Sequence, residues 1–383
     1  MIKNNSHIKM PVLQVLPHLN SGGLVSGAIE VATALKKNNL DSVVFSSGGF
    51  RENEILKSGT ILERGPAASK NIFTILSNKK KIIKLVNKYN IKIIHARSRA
   101  PAWSSYLAAK ELNIPFVTTF HGTYGLENFL KKKYNNIMLK ADAIIAISQF
   151  IKKHISDNYG VKDKIHVIPR GVNTNIFSPT SVTTARIVAM AKKSKTLDDE
   201  KVILMPARLT EWKGHKLAIT ALKSIKNKKV KLLIVGDVQN RNKYKNELIN
   251  LAKNLKVQSK LVFLDHLRDM PALYMISDVV LSCSTKPEAF GRTVLEAQAM
   301  GRPVVAFNHG GSVELIQDNE NGILTEVGNT NELSISLDRV LDLTYNKRNI
   351  ISKLSIRNVK KKYLTDMMTN KTLNVYKELI KKK

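Results

Sequence analysis

Short apolar runs alternate with longer amphipathic stretches along almost the whole chain. Val12–Leu16, for example, is followed by Gly27–Asn38, whose apolar residues recur at helical spacing. Apolar strands joined by helices predict parallel sheets that are buried on both faces. The strands predicted in the first half are Val12–Leu16, Ser42–Ser46, Lys92–His95, Pro115–Phe120, Ala143–Ile147 and His166–Pro169.

The second half repeats this alternation after Asn173–Pro179, whose Asn, Ser and Pro content is typical of a linker. We therefore predict two Rossmann-like α/β domains, residues 1–177 and 178–361, that face each other across a cleft. Ligands of open α/β sheets bind beyond the carboxyl ends of the strands, so the cleft is the expected site. The strands predicted here are Val202–Pro206, Leu232–Val235, Leu261–Leu264, Val279–Cys283, Pro303–Phe307 and Gly322–Thr325.

The net charge of +32 is the strongest signal in the composition. Lysine outnumbers arginine by 48 to 14, and the lysines are spread along the chain instead of forming one basic arm. Proteins that recognise the bases and phosphates of nucleic acids rely more on arginine, because its planar guanidinium forms bidentate hydrogen bonds. We therefore expect no nucleic-acid partner. Solubility and an anionic membrane surface both remain possible reasons for the charge.

Three features indicate a cytoplasmic protein. The segment Met1–Met10 is polar and leads directly into a predicted strand, which leaves no room for a signal peptide. Cys283 is the single cysteine, which excludes an internal disulfide framework. Since no apolar run is long enough to span a bilayer, any membrane association is expected to be peripheral.

The segment from Lys286 to Gly301 carries the most informative pattern. Glu288 and Glu296 flank a Phe-Gly turn that leads into a predicted helix. Gly291 lets a phosphate approach the backbone, and the start of the helix offers N–H groups to an anion. Glu296 lies one turn into the helix, where a carboxylate can bind a ribose diol. Alternatively, Thr293 and Glu296 form a capping box and Glu288 is a solvated loop residue.

A second pattern follows the first strand of the second domain. Arg208 and Lys213 lie just beyond Val202–Pro206, where two cations can neutralise a diphosphate leaving group. The chain has no Asp-x-Asp triplet, and Asp198–Glu200 precedes a strand and so faces away from the predicted cleft. No His/Cys spacing suits zinc. We therefore predict a reaction that needs neither a metal ion nor another cofactor.

Together these patterns resemble the retaining glycosyltransferases of family four, which have the GT-B fold. The resemblance rests on Glu288 and Glu296, the loop from Arg208 to Gly214, and the strand end Val235–Asp237. It spans nearly the whole chain, and its motifs are specific in combination. It also implies that a last helix, at about residues 362–383, returns to the first domain.

The first half carries further points of resemblance. Gly22 and Gly23 resemble the glycine loop of the family, and Thr119–Thr123 resembles the strand end whose histidine lies near the reacting sugar. His95–Trp103 and Arg292 are similar to a subgroup that acts on bacterial lipopolysaccharide and envelope polysaccharides. The chain departs from the family where Arg292 replaces a frequent aliphatic residue and where Leu264–Leu267 lacks a glycine, so the base stays open.

The resemblance implies a nucleotide-sugar donor and a glycan or lipid-linked acceptor. Arg208 and Lys213 would clamp the diphosphate, Glu288 would contact the sugar hydroxyls, and His121 would approach the transferred sugar from the other domain. Glu296 would hold the ribose. The other residues assigned to the donor are Gly22, Gly23, Gly236, Phe290, Gly291, Arg292 and Thr293.

The acceptor side is predicted from a basic helix. Leu126–Leu139 has an apolar stripe beside Lys131–Lys133, which suits packing on the sheet, contact with an anionic membrane, or both. Arg97 and Arg99 either bind an anionic acceptor or point outward into solvent. Two other functions compete with the transferase, namely a sugar-nucleotide epimerase of related architecture and a noncatalytic basic protein that binds nucleic acid or membrane.

Overall fold

The computed structural model describes residues 10–125, 129–227, 229–236, 242–264 and 267–382. The chain divides into two compact units, Met1–Arg170 with Thr365–Lys383, and Gly171–Leu364. The segment predicted as a linker, Asn173–Pro179, belongs to the second unit. Each unit holds one sheet in which every strand pairing is parallel.

The sheet of the first unit has the strand order β3-β2-β1-β4-β5-β6-β7. Its strands are β1 (Val12–Val15), β2 (Ser42–Ser46), β3 (Ile61–Arg64), β4 (Ile93–Ala96), β5 (Phe116–Phe120), β6 (Ala143–Ala146) and β7 (Ile165–Val167). The helices between them are α1 (Gly23–Lys37), α2 (Glu52–Lys57), α3 (Ile72–Tyr89), α4 (Arg99–Leu112), α5 (Phe129–Asn135) and α6 (Gln149–Tyr159). The central strands are buried throughout, as expected for a parallel sheet covered on both faces.

The sheet of the second unit has the order β10-β9-β8-β11-β12-β13, which is the 3-2-1-4-5-6 order of a Rossmann fold. Its strands are β8 (Lys201–Pro206), β9 (Val230–Val235), β10 (Leu261–Leu264), β11 (Val279–Ser282), β12 (Val304–Phe307) and β13 (Ile323–Thr325). Its helices are α7 (Thr184–Ser194), α8 (His215–Ser224), α9 (Asn242–Asn254), α10 (Met270–Ile276), α11 (Arg292–Ala299), α12 (Thr330–Leu341) and α13 (Tyr345–Lys362). The prediction of two Rossmann-like domains is confirmed.

The last helix, α14 (Thr365–Lys381), belongs to the first unit although it follows the second in the chain. Met368, Leu373, Val375 and Tyr376 join the core cluster formed around the strands β1, β4, β5 and β6. The hydroxyl of Tyr376 reaches into this core and lies 2.6 Å from Nδ1 of the buried His95. A buried polar contact of this kind fixes the position of the helix, because separating the pair would leave both groups unsatisfied.

The prediction of one helix over Leu126–Leu139 is wrong. The structure has the short helix α5, followed by a 3₁₀ turn over Asn136–Lys140, and residues 126–128 lie outside the described part of the chain. The apolar side chains divide along this segment, since Phe129 and Leu130 are exposed whereas Ile137 and Met138 are buried. The exposed pair belongs to α5 and the buried pair to the 3₁₀ turn.

Among the described helices, none is both long enough and apolar enough to cross a bilayer.

Candidate active site

The strand order of the second unit brings two loops together. The order reverses between β8 and β11, which are direct neighbours, so the loops that leave their carboxyl ends start side by side. Such a reversal opens a crevice in which ligands of doubly wound sheets bind. Arg208 and Lys213 lie on the first loop, and Ser284 and Glu288 lie on the second. The fold therefore places the predicted cations beside one predicted carboxylate.

Lys213 and Glu288 form a hydrogen-bonded ion pair through Nζ and Oε1. The hydroxyl of Ser284 donates to the same carboxylate oxygen at 2.5 Å. The ring of Trp212 lies 4.2 Å from Nζ, which adds a cation–π contact. The two side chains retain 16% and 19% of their exposure, so the pair is held in place yet can still be reached by a ligand.

Glycines allow these loops to touch. Gly214 has a φ of +80°, and a Cβ there would lie 1.9 Å from the carbonyl oxygen of Cys283. A Cβ on Gly236 would lie 2.1 Å from the carbonyl oxygen of Ala207. Any larger residue would force the loop after β8 away from its neighbours. Asp237, which belongs to the same predicted motif as Gly236, lies outside the described residues.

The helix α11 begins directly after Gly291, which has a φ of +97° and provides no capping side chain. A Cβ there would lie 2.8 Å from Oγ of Ser312, so only glycine fits this position. The predicted capping box is wrong, because Thr293 lies inside the helix and not at its N-cap. The first turn thus presents its peptide N–H groups without a competing side-chain acceptor, which suits an anion.

Glu296 is held by two donors. Nε of Arg292 lies 3.0 Å from Oε1, and the hydroxyl of the fully buried Tyr274 donates to Oε2 at 3.1 Å. Burial, together with the charge of Glu296, raises the pKa of Tyr274 well above its usual range, so this hydroxyl stays a donor. Phe290, by contrast, is a buried core residue that packs edge-on against Tyr363.

A third loop, after β12, supports Glu288. The backbone N–H of Gly311 donates to the carbonyl oxygen of Glu288 at 2.7 Å, and a ring nitrogen of His309 lies 2.7 Å from the carbonyl oxygen of Ser284. These two contacts anchor the backbone of the loop that carries Glu288. No sequence pattern points to Ser284, whereas Asn308–Gly311, which contains His309, predicts a loop near the nucleotide.

Arg208 is exposed. No residue in the described ranges forms a hydrogen bond or ion pair with its side chain. Its guanidinium is therefore available to a ligand of the loop after β8.

In the first unit, His121 follows β5 and pairs with Arg170. Nη2 of Arg170 lies 2.7 Å from Nδ1 of His121. The same Nη2 atom lies 3.4 Å from Nε2, so the shorter contact identifies Nδ1 as the acceptor. Since an arginine can only donate, this places the proton of the neutral ring on Nε2. Burial and the neighbouring charge of Arg170 hold the pKa of His121 well below its usual range. The ring is thus a neutral donor through Nε2.

Gly27 makes room for Arg170. A Cβ on Gly27 would lie 2.5 Å from Nη1 of Arg170. The expectation that Arg97 points into solvent or binds an acceptor is wrong, because this residue is buried and its Nε donates to Oε1 of Gln14 at 3.0 Å. Two buried guanidinium groups, those of Arg97 and Arg170, therefore lie near the carboxyl ends of β1, β4 and β7.

Gly22 and Gly23 lie at the start of α1. Gly22 is the N-cap with a φ of +120° and provides no capping side chain. An added Cβ on either glycine would have no heavy atom within 4 Å. The space around the start of this helix is therefore open, so a ligand can approach the backbone of the glycine loop closely.

Comparisons with known proteins show the family to which the chain belongs. The family described as "Glycosyl transferases group 1" matches residues 189–356, and "Glycosyltransferase Family 4" matches residues 21–176. An uncharacterised glycosyltransferase of Methanocaldococcus jannaschii is 30% identical over 76% of each chain. The chain belongs to the group 1 glycosyltransferases.

Solved structures show the same fold. The crystal structure of a glycosyltransferase from Rickettsia africae is 40% identical, covers 98% of this glycosyltransferase and 100% of its own chain, and superposes with a TM-score of 0.91. The Anabaena protein HepE, solved in complex with UDP-glucose, is 22% identical, covers 96% and 100%, and has a TM-score of 0.86. Membership of this family favours transferase activity over the two competing functions, the epimerase and the noncatalytic basic protein.

The glycosyltransferase also contains a buried histidine next to its Lys213 loop. His215 begins α8, is fully buried and lies edge-on to Tyr244. Burial lowers the pKa of His215 to about 4. The ring is therefore neutral in the folded protein at pH values where an unfolded histidine is already charged.

We expect the free energy of unfolding to fall as the pH drops from 6.5 to 4. Over this range the unfolded chain binds a proton at His215 and the folded chain does not, which costs roughly 3 kcal/mol at this one residue. Above pH 6.5 neither state is charged, so the effect is absent there. Urea unfolding at pH 7 and pH 4.5 should show a smaller loss for His215→Phe than for the wild type. Equal losses in both proteins would contradict the assignment.

Proposed function

We propose that this glycosyltransferase moves a hexose-type sugar from a nucleoside-diphosphate donor to a lipopolysaccharide-core, lipid-linked or other envelope glycan acceptor, and that it retains the anomeric configuration. The observation that carries the proposal is the ion pair of Lys213 and Glu288 at the strand-order reversal of the second unit. This pair combines a cation for a leaving phosphate with a carboxylate for sugar hydroxyls.

The donor diphosphate is bound by positive groups of the second unit. The side chains of Lys213 and the exposed Arg208 contact the bridging oxygens of the diphosphate. The peptide N–H groups in the first turn of α11, after Gly291, bind its remaining negatively charged oxygens. The ribose diol binds to Glu296, whose carboxylate is already oriented by Tyr274 and Arg292. The UDP-glucose in the Anabaena protein, which has the same fold, is consistent with a donor of this class.

Transfer breaks the bond between the anomeric carbon and the diphosphate oxygen. The electron pair goes to that oxygen, and the charge that develops there is stabilised by Lys213 and Arg208. The acceptor hydroxyl attacks from the same face, and its proton passes to the departing phosphate. Glu288 positions the sugar through its hydroxyls. His121, a donor through Nε2, binds another hydroxyl of the transferred sugar.

Metal independence is part of the proposal. In many nucleotide-sugar enzymes a divalent ion neutralises the diphosphate. Here two cationic side chains and a helix N-terminus can supply the same stabilisation. No cofactor is needed for the chemistry, because the donor itself is the activated species.

The acceptor and the location follow from the surface of the first unit. Phe129 and Leu130 are 77% and 74% exposed, and Lys131–Lys133 follow them directly. Apolar side chains beside a run of lysines suit an anionic membrane, to which each lysine near the surface contributes about 1 kcal/mol. We propose a cytoplasmic enzyme that associates peripherally with the inner face of the cytoplasmic membrane. We propose no role for nucleic acid.

Calorimetric titration with UDP, GDP and ADP in the presence of EDTA tests the donor site. We expect one nucleotide to bind, and Glu296→Ala and Lys213→Ala to weaken its binding by about tenfold or more, since each removes a charged partner. Lys216→Ala is the matched control, because this exposed lysine pairs with Glu247 outside the site. The proposal fails if no nucleotide binds, or if all three variants weaken binding equally. Loss of binding on addition of EDTA would overturn metal independence.

A further inference from the structure

The helix α13 in the second unit presents a basic surface that the proposed donor chemistry does not use. Its eighteen residues, Tyr345–Lys362, contain seven lysines and arginines and no aspartate or glutamate. The seven are Lys347, Arg348, Lys353, Arg357, Lys360, Lys361 and Lys362. Arg348 serves the unit itself, since its Nη1 donates to the carbonyl oxygen of Asp278 at 2.7 Å. The other six are exposed, so their charge faces solvent.

Most of these exposed cations share one side of the helix with two apolar residues. An α-helix turns about 100° per residue, which places six exposed residues of α13 within an arc of about 120°. They are Ile350, Lys353, Leu354, Arg357, Lys360 and Lys361, and they are called the α13 face below. The buried residues Ser355 and Val359 lie on the other side of the helix, which packs against α11. The α13 face is therefore a continuous outer surface.

The cations of the α13 face are not paired within the protein. All four lack a hydrogen bond or ion pair to any residue in the described part of the chain. Lys353, Arg357 and Lys361 follow one another at a spacing of four residues, at which like charges destabilise a helix. A solvated helix can use opposite charges at this spacing instead, as Lys153 and Asp157 do in α6. Solubility alone therefore does not explain the arrangement, and an anionic partner would relieve it.

The helix dipole accounts for only part of the charge. Cations in the last turn of a helix interact favourably with its free carbonyl groups, which suits Lys360–Lys362. Lys353 and Arg357 lie before that turn, where the effect has fallen off. Cations from both parts of the helix border one groove of about 520 Å³, which is lined by Lys353, Ile356, Arg357, Lys360 and Lys361. The groove thus gathers positive charge from beyond the helix end.

The apolar residues of the α13 face indicate which anionic partner fits. Ile350 and Leu354 lie among the cations and are 59% and 40% exposed. A soluble polyanion is bound by the cations alone, whereas the surface of a membrane also takes up apolar side chains that lie beside lysines. Clusters of about four to eight basic residues on one helix are typical of binding to anionic lipids.

We propose that the second unit binds an anionic lipid surface through the α13 face. The inference rests on the proposed peripheral association, which it deepens by assigning a lipid contact to the second unit. The contact proposed above, at Phe129, Leu130 and Lys131–Lys133, belongs to the first unit. The two contacts share no residue, so each can be removed without the other.

Sedimentation of the full chain with phosphatidylglycerol vesicles tests the α13 face. The charge variant Lys353→Gln/Arg357→Gln removes two of its cations. The apolar variant Ile350→Ser/Leu354→Ser leaves the charge unchanged and removes the side chains that a membrane takes up. Vesicles of phosphatidylcholine alone measure how much of the binding requires negative charge, and melting temperatures show whether each variant folds.

Two further variants serve as references. Lys223→Gln/Lys253→Gln removes the same amount of charge from the second unit, and these exposed lysines lie on α8 and α9, outside the α13 face. Phe129→Ser/Leu130→Ser removes the apolar part of the contact proposed for the first unit. Nucleotide binding is measured by calorimetry in every variant, so failure of the donor site is recognised separately.

We expect the charge variant to bind phosphatidylglycerol vesicles about twentyfold more weakly than the wild type, since each basic residue near an anionic surface contributes about fivefold. The apolar variant should bind about threefold to tenfold more weakly. Lys223→Gln/Lys253→Gln should bind like the wild type, and none of the four variants should change nucleotide binding.

Three outcomes would overturn the inference. The first is a charge variant that loses no more binding than Lys223→Gln/Lys253→Gln. The second is a loss in the charge variant with none in the apolar variant, which would indicate a soluble polyanion as the partner. The third is a wild type that does not bind phosphatidylglycerol vesicles, and this would also overturn the proposed peripheral association. If only Phe129→Ser/Leu130→Ser loses binding, that association stands and the α13 face has no part in it.

Discussion

Replacing Lys213 with alanine is expected to lower kcat by about a hundredfold to a thousandfold, which is the usual cost of losing one donor to a developing oxyanion. The effect on KM should be smaller, because the charge on the leaving phosphate grows most in the transition state. The measurement is initial-rate kinetics of nucleoside diphosphate release, with the donor that calorimetry identifies. The ion pair with Glu288 means that the substitution also leaves a carboxylate with Ser284 as its one remaining side-chain donor among the described residues.

The double variant Lys213→Ala/Glu288→Gln separates these two effects. If the loss came from the unpaired carboxylate, neutralising Glu288 would restore most of the rate. If Lys213 acts on the diphosphate, the double variant stays as slow as the single one or becomes slower. Lys216→Ala should keep the wild-type rate, since Lys216 pairs with Glu247 on the surface. A similar loss in Lys216→Ala would show that only the overall charge matters.

Replacing Arg170 with methionine is expected to lower the transfer rate by about tenfold to a hundredfold without changing nucleotide binding. The hydrogen bond from Arg170 to Nδ1 keeps the proton of His121 on Nε2, and without it the ring can adopt the other tautomer. The pKa of His121 should rise, because one of the causes that lower it is the charge of Arg170. NMR titration of the ring protons measures this change, and a pH–rate profile follows its effect on transfer.

Two further variants make this test independent of overall stability. Arg170→Lys keeps a charge and a donor, so it should restore part of the rate and a low pKa at His121. Gly27→Ala leaves Arg170 present but introduces a methyl group 2.5 Å from its Nη1, and should reproduce the loss. Melting temperatures identify any variant that fails to fold. A wild-type rate and titration in both Gly27→Ala and Arg170→Met would show that this contact does not orient His121.

The sequence predicts the inner strands of both sheets well, and it predicts edge strands and the first residues of helices less well. Ser42–Ser46 has the predicted bounds and is buried along its whole length, as expected for an inner parallel strand. Leu261–Leu264 also has the predicted bounds although it is a half-buried edge strand, because all four of its residues are apolar. β3 was missed, since this edge strand is Ile-Leu-Glu-Arg and half-exposed. The sequence predicts a helix over Ala102–Leu112, but α4 begins three residues earlier, with Pro101 inside its first turn, where proline is tolerated.

The helix α6 is not predicted by its apolar periodicity, although the sequence carries a start signal and a stop signal for it. Ser148 caps it by accepting from the N–H of Ile151, and Gly160 ends it in the left-handed conformation. Ser and Gly at these positions are the standard start and stop signals of a helix. Ile151 and Ile155, one turn apart, are its buried residues. With only two apolar residues facing the core, the periodicity alone was too weak to predict it.

The sequence by itself determined the two parallel sheets and most of the residues proposed for the donor site, because apolar periodicity and glycine-rich strand ends are local properties of a chain. Only the tertiary structure decided which of these residues are partners. Lys213 and Glu288 are 75 residues apart, and His121 and Arg170 are 49 apart. The first pair meets because β8 and β11 are neighbours in the sheet, and strand order is set by packing over the whole unit. No local pattern contains that information.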